Sequence, residues 1–290
     1  MVFINSEGKI NKNTYLIDGL LFKISGNIGI YIIENNGMRM MMDTSSEIAA
    51  RKIMKKLEQF GLLPIHKLLL THSHWDHAQG VGKLRRLLGD IEVLASENAL
   101  KDLKSPERMA EPYEFKVKPV EDVTPLKEGD IVDLNGLELE IMNFFGHTMD
   151  SIALLDKKNR NIFVGDAIID RLAQDAFFVS LMPPDFNEGE LLKTFNKLRD
   201  MRDELNSIAI AHFGVWKDNH FEQILNEMED LYFKVKNALI EWYNENPSIE
   251  NITSKYCSTF LPNSKFWNEK IFVFIIDMMI NGLKLSGFIK

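Results

Sequence analysis

The chain has 290 residues, enough for one large domain or two of ordinary size, and its 45% hydrophobic content can fill a substantial core. Its formal net charge of −8 argues against nucleic acid as a partner, because nucleic-acid binding normally needs a basic face. The single cysteine excludes an intrachain disulfide. No apolar run reaches the roughly 18 residues of a membrane span and no leader pattern opens the chain, so we expect a soluble, cytoplasmic protein without a membrane segment.

Strands and helices alternate over the first half of the sequence. The predicted strands lie at about 14–18, 28–33, 38–42, 67–70 and 91–95. Helices are predicted over about 47–60 and 78–88. The stretch 105–125 is rich in Pro, Glu and Lys and lacks clear periodicity, so we interpret it as a long surface connection.

The segment 71–77, with the sequence Thr-His-Ser-His-Trp-Asp-His, lies between a predicted strand and the helix that follows it. Neutral imidazoles and carboxylates are good ligands for zinc, iron and manganese. In the extended part of the turn His72 and His74 point to the same side, while Asp76 and His77 emerge at the helix start. One short stretch can therefore serve two ions, although a polar loop that happens to be rich in histidine is the alternative.

Further candidate ligands follow apolar runs in the second half of the chain. The predicted strands there lie at about 131–134, 137–144, 152–155 and 161–164. His147, Asp166 and His212 each stand just past the end of an apolar run. Because loops at one edge of a rigid sheet bring distant residues together, we expect these side chains to meet the histidine-rich segment. Five of the seven histidines belong to this pattern, and we interpret His66 and His220 as structural or surface residues.

The sequence changes character beyond residue 217. Before this point, the apolar stretch 177–184 ends in two prolines and therefore cannot continue a helix. We interpret it either as a wall of the metal pocket or as part of the core. From 221 to 242 apolar residues recur at a three-and-four spacing, which predicts one amphipathic helix of about 26 residues. Further helices are predicted around 249–260 and 265–283. We therefore predict two domains, residues 1–217 and an all-helical extension over 218–290.

The helical extension does not look like a nucleic-acid module. Residues 219–290 contain nine Asp or Glu against seven Lys and no Arg, a net charge of −2. The extension is better interpreted as a wall of the substrate pocket or as a homodimer surface.

The candidate ligands together resemble a known family. His72-x-His74-x-Asp76-His77, then Gly146-His147-Thr148, Gly165-Asp166 and His212 are similar, in this order, to the ligand set of the metallo-β-lactamase superfamily over about residues 14–216. The resemblance implies an α/β fold of four layers, αβ/βα, with two mixed sheets face to face and the site at one edge. It also implies that Asp166 bridges two metal ions, one held by His72, His74 and His147 and the other by Asp76, His77 and His212.

The resemblance extends to particular branches of the superfamily. True β-lactamases of the family lack an acidic bridge where Asp166 stands, and the complete bridge resembles instead the glyoxalase II, lactonase and nuclease branches. Many hydrolases of those branches continue Gly-His-Thr with Pro-Gly, whereas Met149 and Asp150 follow here. Substrate contacts from that loop are therefore not carried over to this chain.

These features predict a metal-dependent hydrolase with two divalent ions, zinc being expected and iron or manganese being the alternatives. Such a centre lowers the pKa of bound water from ~15.7 to about 7, which provides a metal-bridging hydroxide, and Asp76 is positioned to orient this hydroxide or to receive the proton. Thr71, Ser73 and Thr148 either orient the imidazoles or are ordinary turn residues. The predicted substrate is a small-molecule ester, thioester or lactone. The alternatives are a phosphodiesterase or ribonuclease of the same superfamily and an iron-dependent oxygenase.

Overall fold

The structure is a computed structural model that describes residues 3–111, 116–168, 170–173, 176–179, 181–262 and 268–290. Its strands in chain order are β1 (Phe3–Ile4), β2 (Gly8–Lys9), β3 (Thr14–Asp18), β4 (Gly29–Asn35), β5 (Met38–Met42), β6 (Lys67–Leu69), β7 (Glu92–Ser96), β8 (Val123–Leu126), β9 (Ile131–Asp133), β10 (Glu138–Asn143), β11 (Ile152–Asp156), β12 (Asn161–Phe163), β13 (Asp170–Ala173), β14 (Ala176–Phe178), β15 (Ser207–Ile210) and β16 (Gly214–Lys217). Its α-helices are α1 (Ala50–Gln59), α2 (Trp75–Ala78), α3 (Val81–Leu88), α4 (Leu100–Lys104), α5 (Glu107–Ala110), α6 (Glu188–Asp200), α7 (Asn219–Glu245), α8 (Ile249–Phe260) and α9 (Glu269–Leu285).

Two mixed sheets carry the fold. The first has the strand order β2-β3-β4-β5-β6-β7-β8, with antiparallel pairing up to β5 and parallel pairing from β5 to β8. The second has the order β1-β16-β15-β12-β11-β10-β9, in which β12 and β15 pair in parallel. Strands β13 and β14 form a separate hairpin.

The side-chain alternation of the strands builds the layers. On β4, Ile30 and Ile32 pack into an apolar cluster with α1 and α3, while Tyr31 and Ile33 pack into a second cluster shared with the other sheet. Successive strand residues point to opposite faces, so a strand that is apolar at every position must be covered on both sides. A third cluster joins the outer face of the second sheet to α6, α7, α8 and α9. The expected four-layer arrangement of helices, two sheets and helices is therefore confirmed.

The C-terminal helices are long and continuous with the core. Helix α7 has 27 residues, close to the predicted length, and α8 has the predicted bounds. The buried side chains of α7 pack into the same apolar cluster as strands of the second sheet. The division into residues 1–217 and 218–290 stays a prediction. Among the described residues, no helix combines the length and apolar character needed to cross a bilayer.

Two sequence predictions of secondary structure were wrong in detail. The helix predicted over 78–88 is two helices, α2 and α3, which meet at Gly80. A Cβ at Gly80 would lie 2.8 Å from the Cβ of Thr44, and the Gly80 N–H donates to the Thr44 hydroxyl at 3.0 Å. The close approach to Thr44 at this point explains why the chain turns there. The connection at 105–125 contains the short helix α5 and the start of β8, and residues 112–115 lie outside the described residues.

Helix α9 spans Glu269–Leu285, where the sequence predicts a helix around 265–283. The first residues of that prediction, 265–267, lie outside the described part of the chain. The stretch 177–184 is divided in a similar way. Ser180 and the side chains of 177 and 178 lie outside the described residues, whereas Val179 and Leu181 are buried in the outer core. For these two residues the core-packing interpretation holds.

Candidate metal centre

The seven predicted ligand residues converge at one edge of the paired sheets. Turn 71–74 and helix α2, both following β6, supply four of them, and the loops after β10, β12 and β15 each supply one. All five histidines and Asp166 are buried, while Asp76 is half-buried. The structure therefore brings all seven residues together at this edge. The complete set is His72, His74, Asp76, His77, His147, Asp166 and His212.

The ligand-type atoms form three groups of three, of which one, His72, His77 and Asp166, shares a residue with each of the other two. His72, His74 and His147 form the first trio, and Asp76, His77 and His212 form the second trio. Within each trio the atoms lie within 4.8 Å of one another. Four ligands at ~2.1 Å around tetrahedral zinc would be about 3.4 Å apart, so shifts of about an ångström would close each trio on an ion.

Asp166 stands between the two trios. Its Oδ2 lies 4.0 Å from Nε2 of His72 and 3.5 Å from Nε2 of His147, both in the first trio. The same oxygen lies 3.4 Å from Nε2 of His77 and 3.3 Å from Nε2 of His212, both in the second trio. One carboxylate oxygen is therefore close to imidazole nitrogens of both trios, which is the position a bridging ligand needs.

The other ring nitrogen of three histidines is held from outside the centre. Nδ1 of His72 lies 3.1 Å from the Thr71 hydroxyl, and that hydroxyl donates to Asp43 Oδ2 at 2.8 Å. Nδ1 of His77 lies 2.9 Å from the same Asp43 oxygen. Nδ1 of His212 lies 2.7 Å from the carbonyl oxygen of Asn27. Because these contacts occupy Nδ1, they direct the Nε2 lone pairs toward the centre.

Sequence reasoning missed Asp43 and Asn27. Asp43 directly follows β5, so it has the same position after a buried strand that identified the other acidic residue, Asp166. That pattern could have found Asp43. Asn27 acts through its backbone carbonyl, and no side-chain pattern could have indicated it. Of the three hydroxyl residues considered, Thr71 contacts a ring, and Thr148 lies 2.6 Å from the Ser151 hydroxyl.

A second buried carboxylate supports the histidine-rich turn. Asp150 Oδ2 accepts a hydrogen bond from the N–H of Ser73, the third hydroxyl residue, at 2.9 Å. Burial raises the pKa of the Asp150 carboxyl, while hydrogen bonds from Thr148 and Ser73 act in the opposite direction. Asp150 thus holds the turn between His72 and His74 through the backbone.

The electrostatics of the site separate the histidines into two kinds. Burial lowers the pKa of His72 well below its ordinary value and lowers the pKa of His74 to about 3. Both rings are therefore neutral at pH 7 and ready to bind a cation. Burial would also lower the pKa of His77, but the charges of Asp166 and Asp43 outweigh it and raise that pKa well above its ordinary value. Burial would raise the pKa of Asp166, but His212 and His77 hold it well below its usual range.

The donor set fits divalent metal ions. Nε2 of His72, Nε2 of His77 and Oδ1 of Asp166 are buried without a hydrogen-bond partner among the described residues. Buried polar atoms are nearly always partnered, so these three atoms, all on predicted ligand residues, indicate a site suited to a cation. His74 Nδ1 and His147 Nε2 lie 2.9 Å apart, which places two further nitrogens of the first trio around the same point. The chemistry of nitrogen and carboxylate donors suits zinc, iron or manganese.

The C-terminal helical region reaches this centre. Met278 of α9 packs in a small buried cluster with Trp75, which lies between His74 and Asp76 in the chain. Leu21 and Ile28 from the loop between β3 and β4 complete the cluster. The turn that carries the ligands is therefore packed against both the first sheet's loop and the last helix.

Two facing mixed sheets with helices outside and a buried His/Asp centre at one edge define the αβ/βα class of metalloproteins. A sequence profile of the metallo-beta-lactamase superfamily matches residues 26–212. The chain belongs to the metallo-beta-lactamase superfamily. The resemblance inferred from the motifs is thereby confirmed.

Individual relatives are distant. The chain is 25% identical over 173 residues to the acyl-coenzyme A thioesterase MBLAC2 of Homo sapiens, a match covering 51% of this chain and 61% of that protein. It is 28% identical over 173 residues to hydroxyacylglutathione hydrolase GloC of Haemophilus influenzae, covering 57% of this chain and 76% of that protein. The chain thus spans about three fifths of the length of the human relative.

A solved structure extends the similarity to nearly the whole fold. The metallo-beta-lactamase family protein TTHA1429 from Thermus thermophilus superposes with a TM-score of 0.67 at 18% identity. The match covers 96% of this chain and 95% of that chain, so it includes the C-terminal helices. At this identity the likeness shows the shared fold.

Proposed function

We propose that this chain is a metal-dependent hydrolase of small-molecule thioesters, with two divalent ions held by the two trios. The observation that carries the proposal is the position of Asp166, whose Oδ2 lies within 4.0 Å of imidazole nitrogens from both trios. Zinc is the proposed metal, with iron or manganese as alternatives. Esters and lactones belong to the same reaction class, and the thioester is favoured because both relatives described above are named for thioester hydrolysis.

Two bound divalent ions would supply Lewis acidity that activates water near neutral pH and polarises the substrate carbonyl. The chain's own residues have distinct tasks around that chemistry. Asp166 joins the trios and fixes their spacing. Asp76 is half-buried, and its Oδ2 lies 3.8 Å from Nε2 of His77 and 3.9 Å from Nε2 of His212. This carboxylate is therefore placed to orient the attacking water or to accept its proton.

The proposal is tested by one hydrolysis panel on protein of measured metal content, with a thioester, a lactone and a phosphodiester side by side. We expect the thioester to be turned over fastest. A preference for the phosphodiester would overturn the proposal in favour of the phosphodiesterase or ribonuclease alternative. Oxygen consumption without hydrolysis would favour the iron-dependent oxygenase.

Asp166→Asn tests the bridge directly. An amide keeps the volume of the side chain but removes the charge that balances two cations, so we expect turnover to be lost and the second metal equivalent to be depleted. Asp90→Asn, at an exposed position away from the centre, is the matched control and should leave both unchanged. Full activity in Asp166→Asn would contradict the bridging role.

The helical region carries a second part of the proposal. We infer that residues 218–290 form a helical domain that walls the substrate site and offers a homodimer surface. Phe274 and Leu285 on α9 are 38% and 60% exposed, which is large for apolar side chains on one helix. Sedimentation of the full chain, with Leu285→Glu as the variant, tests the dimer. A monomer at all concentrations would contradict it.

A further inference from the structure

A cleft of about 450 Å³ lies beside the candidate metal centre. Trp75 and Gln79 form its inner side, and both belong to the segment that carries Asp76 and His77. The loop between β3 and β4 covers one flank and the start of α1 forms the other. The volume falls within the range of small-molecule binding pockets, about 300 to 1,000 Å³. A ligand in this cleft would contact Trp75, which lies between His74 and Asp76 in the chain.

The walls of the cleft present unusually exposed apolar surface. Phe22 is 56% exposed and Ile48 is 77% exposed, and the Phe22 ring lies 5.5 Å from the Trp75 ring. The loop holds Phe22 there in a costly backbone conformation, because Leu20, Phe22 and Lys23 have φ values of 50°, 53° and 65°. Exposed apolar groups and backbone strain at the same place are typical of a binding surface.

The charges around the cleft are all positive. Lys23, Lys52 and Lys116 line it, and no Asp or Glu among the described residues does so. Within the part of the chain that the structure describes, none of these three ammonium groups has an ion-pair partner. Neighbouring lysines differ, since Lys56 pairs with Glu7 and Lys118 with Glu47. In a chain of net charge −8, three unpaired lysines around one cleft form a local site for an anion.

We propose that this cleft binds the anionic carrier group of the thioester substrate, and the proposal rests on the thioesterase function argued above. The negative group of the carrier contacts Lys23, Lys52 and Lys116, and its stem lies along Phe22 and Trp75. The polar side chains of Ser46 and Gln79 line the same cleft and can hydrogen-bond amide groups of the stem. The recognised chemistry is a thiol carrier with amides in its stem and negative charge at its end, supplied either by phosphates or by carboxylates.

Binding is measured on the full, metal-loaded chain with probes that cannot be hydrolysed, so that the outcome does not depend on turnover. The probes are three thioethers that cannot be cleaved: S-octyl-coenzyme A, S-octyl-glutathione and the neutral S-octyl-N-acetylcysteamine. Titration calorimetry gives their dissociation constants. We expect the two anionic probes to bind at least about 10-fold more tightly than the neutral one, and the tighter of the two identifies a phosphate-bearing or a carboxylate-bearing carrier.

Charge variants locate the site. Lys52→Gln should raise the dissociation constants of the anionic probes by up to about 5-fold, as expected for one solvent-exposed charge pair. Replacing Lys23, Lys52 and Lys116 together by Gln should raise them by at least about 10-fold. Neither should affect the neutral probe. Lys55→Gln, on the same helix outside the cleft, is the matched control and should have no effect. Because the lysines are exposed, these variants should fold normally, which circular dichroism verifies.

The contrary outcomes are specific. Equal affinity for the neutral and anionic probes, or equal weakening by Lys55→Gln and Lys52→Gln, would overturn the proposed anion site. Tryptophan fluorescence tests where the probes bind. The anionic probes should change the emission of the wild-type protein but not that of Trp75→Phe. Anion binding that persists in a protein without thioesterase activity would refute the proposed function and leave the cleft as an anion site.

Discussion

Gly282 in α9 offers a sharp test of how the C-terminal helix is packed. A Cβ built at this position would lie 2.0 Å from the carbonyl oxygen of Leu181 and 2.9 Å from its carbonyl carbon. Real side chains do not tolerate such contacts, so Gly282→Ala must push the helix or the 181–182 backbone apart by more than an ångström. Overpacking of this kind costs about 1–3 kcal/mol, whereas alanine gains at most about 1 kcal/mol in helix propensity. Because a 2.0 Å contact with a backbone oxygen lies at the severe end of that range, we expect a net destabilisation of about 2 kcal/mol.

Gly82→Ala in α3 is the matched control, because the nearest atom to its added Cβ is the flexible Arg86 Nη1 at 3.9 Å. Here only the propensity gain operates, and the expected change is a stabilisation of up to about 1 kcal/mol. The two substitutions are chemically identical, but their effects on the free energy of unfolding should have opposite signs. Urea unfolding of the metal-free proteins, followed by circular dichroism, measures both. Stabilisation by Gly282→Ala equal to that by Gly82→Ala would refute the close packing.

Gly282→Ala should also affect the candidate metal centre. Beyond Leu181 and Met182 the chain reaches Pro183, whose backbone forms a hydrogen bond with His74. Displacing this segment moves a contact of the first trio. We therefore expect Gly282→Ala to weaken metal binding at the first trio, while Gly82→Ala leaves it unchanged. Metal titration of the two variants distinguishes this effect from a loss of global stability.

Three further predictions concern other parts of the structure. Asp43→Asn should weaken metal binding by about 10–100-fold in calorimetry without unfolding the protein, because Asp43 orients His77 and, through Thr71, His72. Unfolding of the metal-free protein should show greatest stability near pH 6.5. Because the pKa values of His72 and His74 are lowered, the free energy of unfolding falls by up to about 2.7 kcal/mol per pH unit as the pH drops below 6.5. The pKa of His77 is raised, so its stabilising contribution is complete below pH 6.5. That contribution is lost as the pH rises toward the pKa of His77 in the folded protein. Lys236→Met should cost about 2 kcal/mol in urea unfolding because it removes the ammonium partner of the Glu188 carboxylate, which then keeps the neutral Tyr232 hydroxyl, and Glu188→Gln in the same chain should recover part of that loss.

Much of the fold follows from rules that act over a few residues. Strand β3 has the predicted bounds 14–18 and β5 the predicted bounds 38–42, because apolar alternation directly records which face of a strand is buried. The spacing of ligand types in 71–77 likewise indicated a metal centre, since three imidazoles and a carboxylate crowded together require a cation. The strand-end rule extended the prediction to His147, Asp166 and His212.

What escaped prediction depends on contacts between distant segments. The break between α2 and α3 occurs where Gly80 meets Thr44, which is 36 residues away in sequence. The residue propensities within 78–88 carry no sign of that contact, so the sequence pattern predicts one helix. Asn27 reaches His212 through a backbone carbonyl across 185 residues, and any residue at that position has a carbonyl. Such contacts exist only once the sheets have come together.

Trp75 links the C-terminal helical region to the candidate metal centre. Trp75 separates two ligand residues in the chain, packs on Met278 of α9 within the buried cluster, and also lines the lysine-bordered cleft. Movement of α9 would therefore alter the cleft and the spacing of His74 and Asp76 together. Because side chains in a close-packed interior transmit displacement, the helical region is expected to influence ligand binding without supplying a ligand of its own.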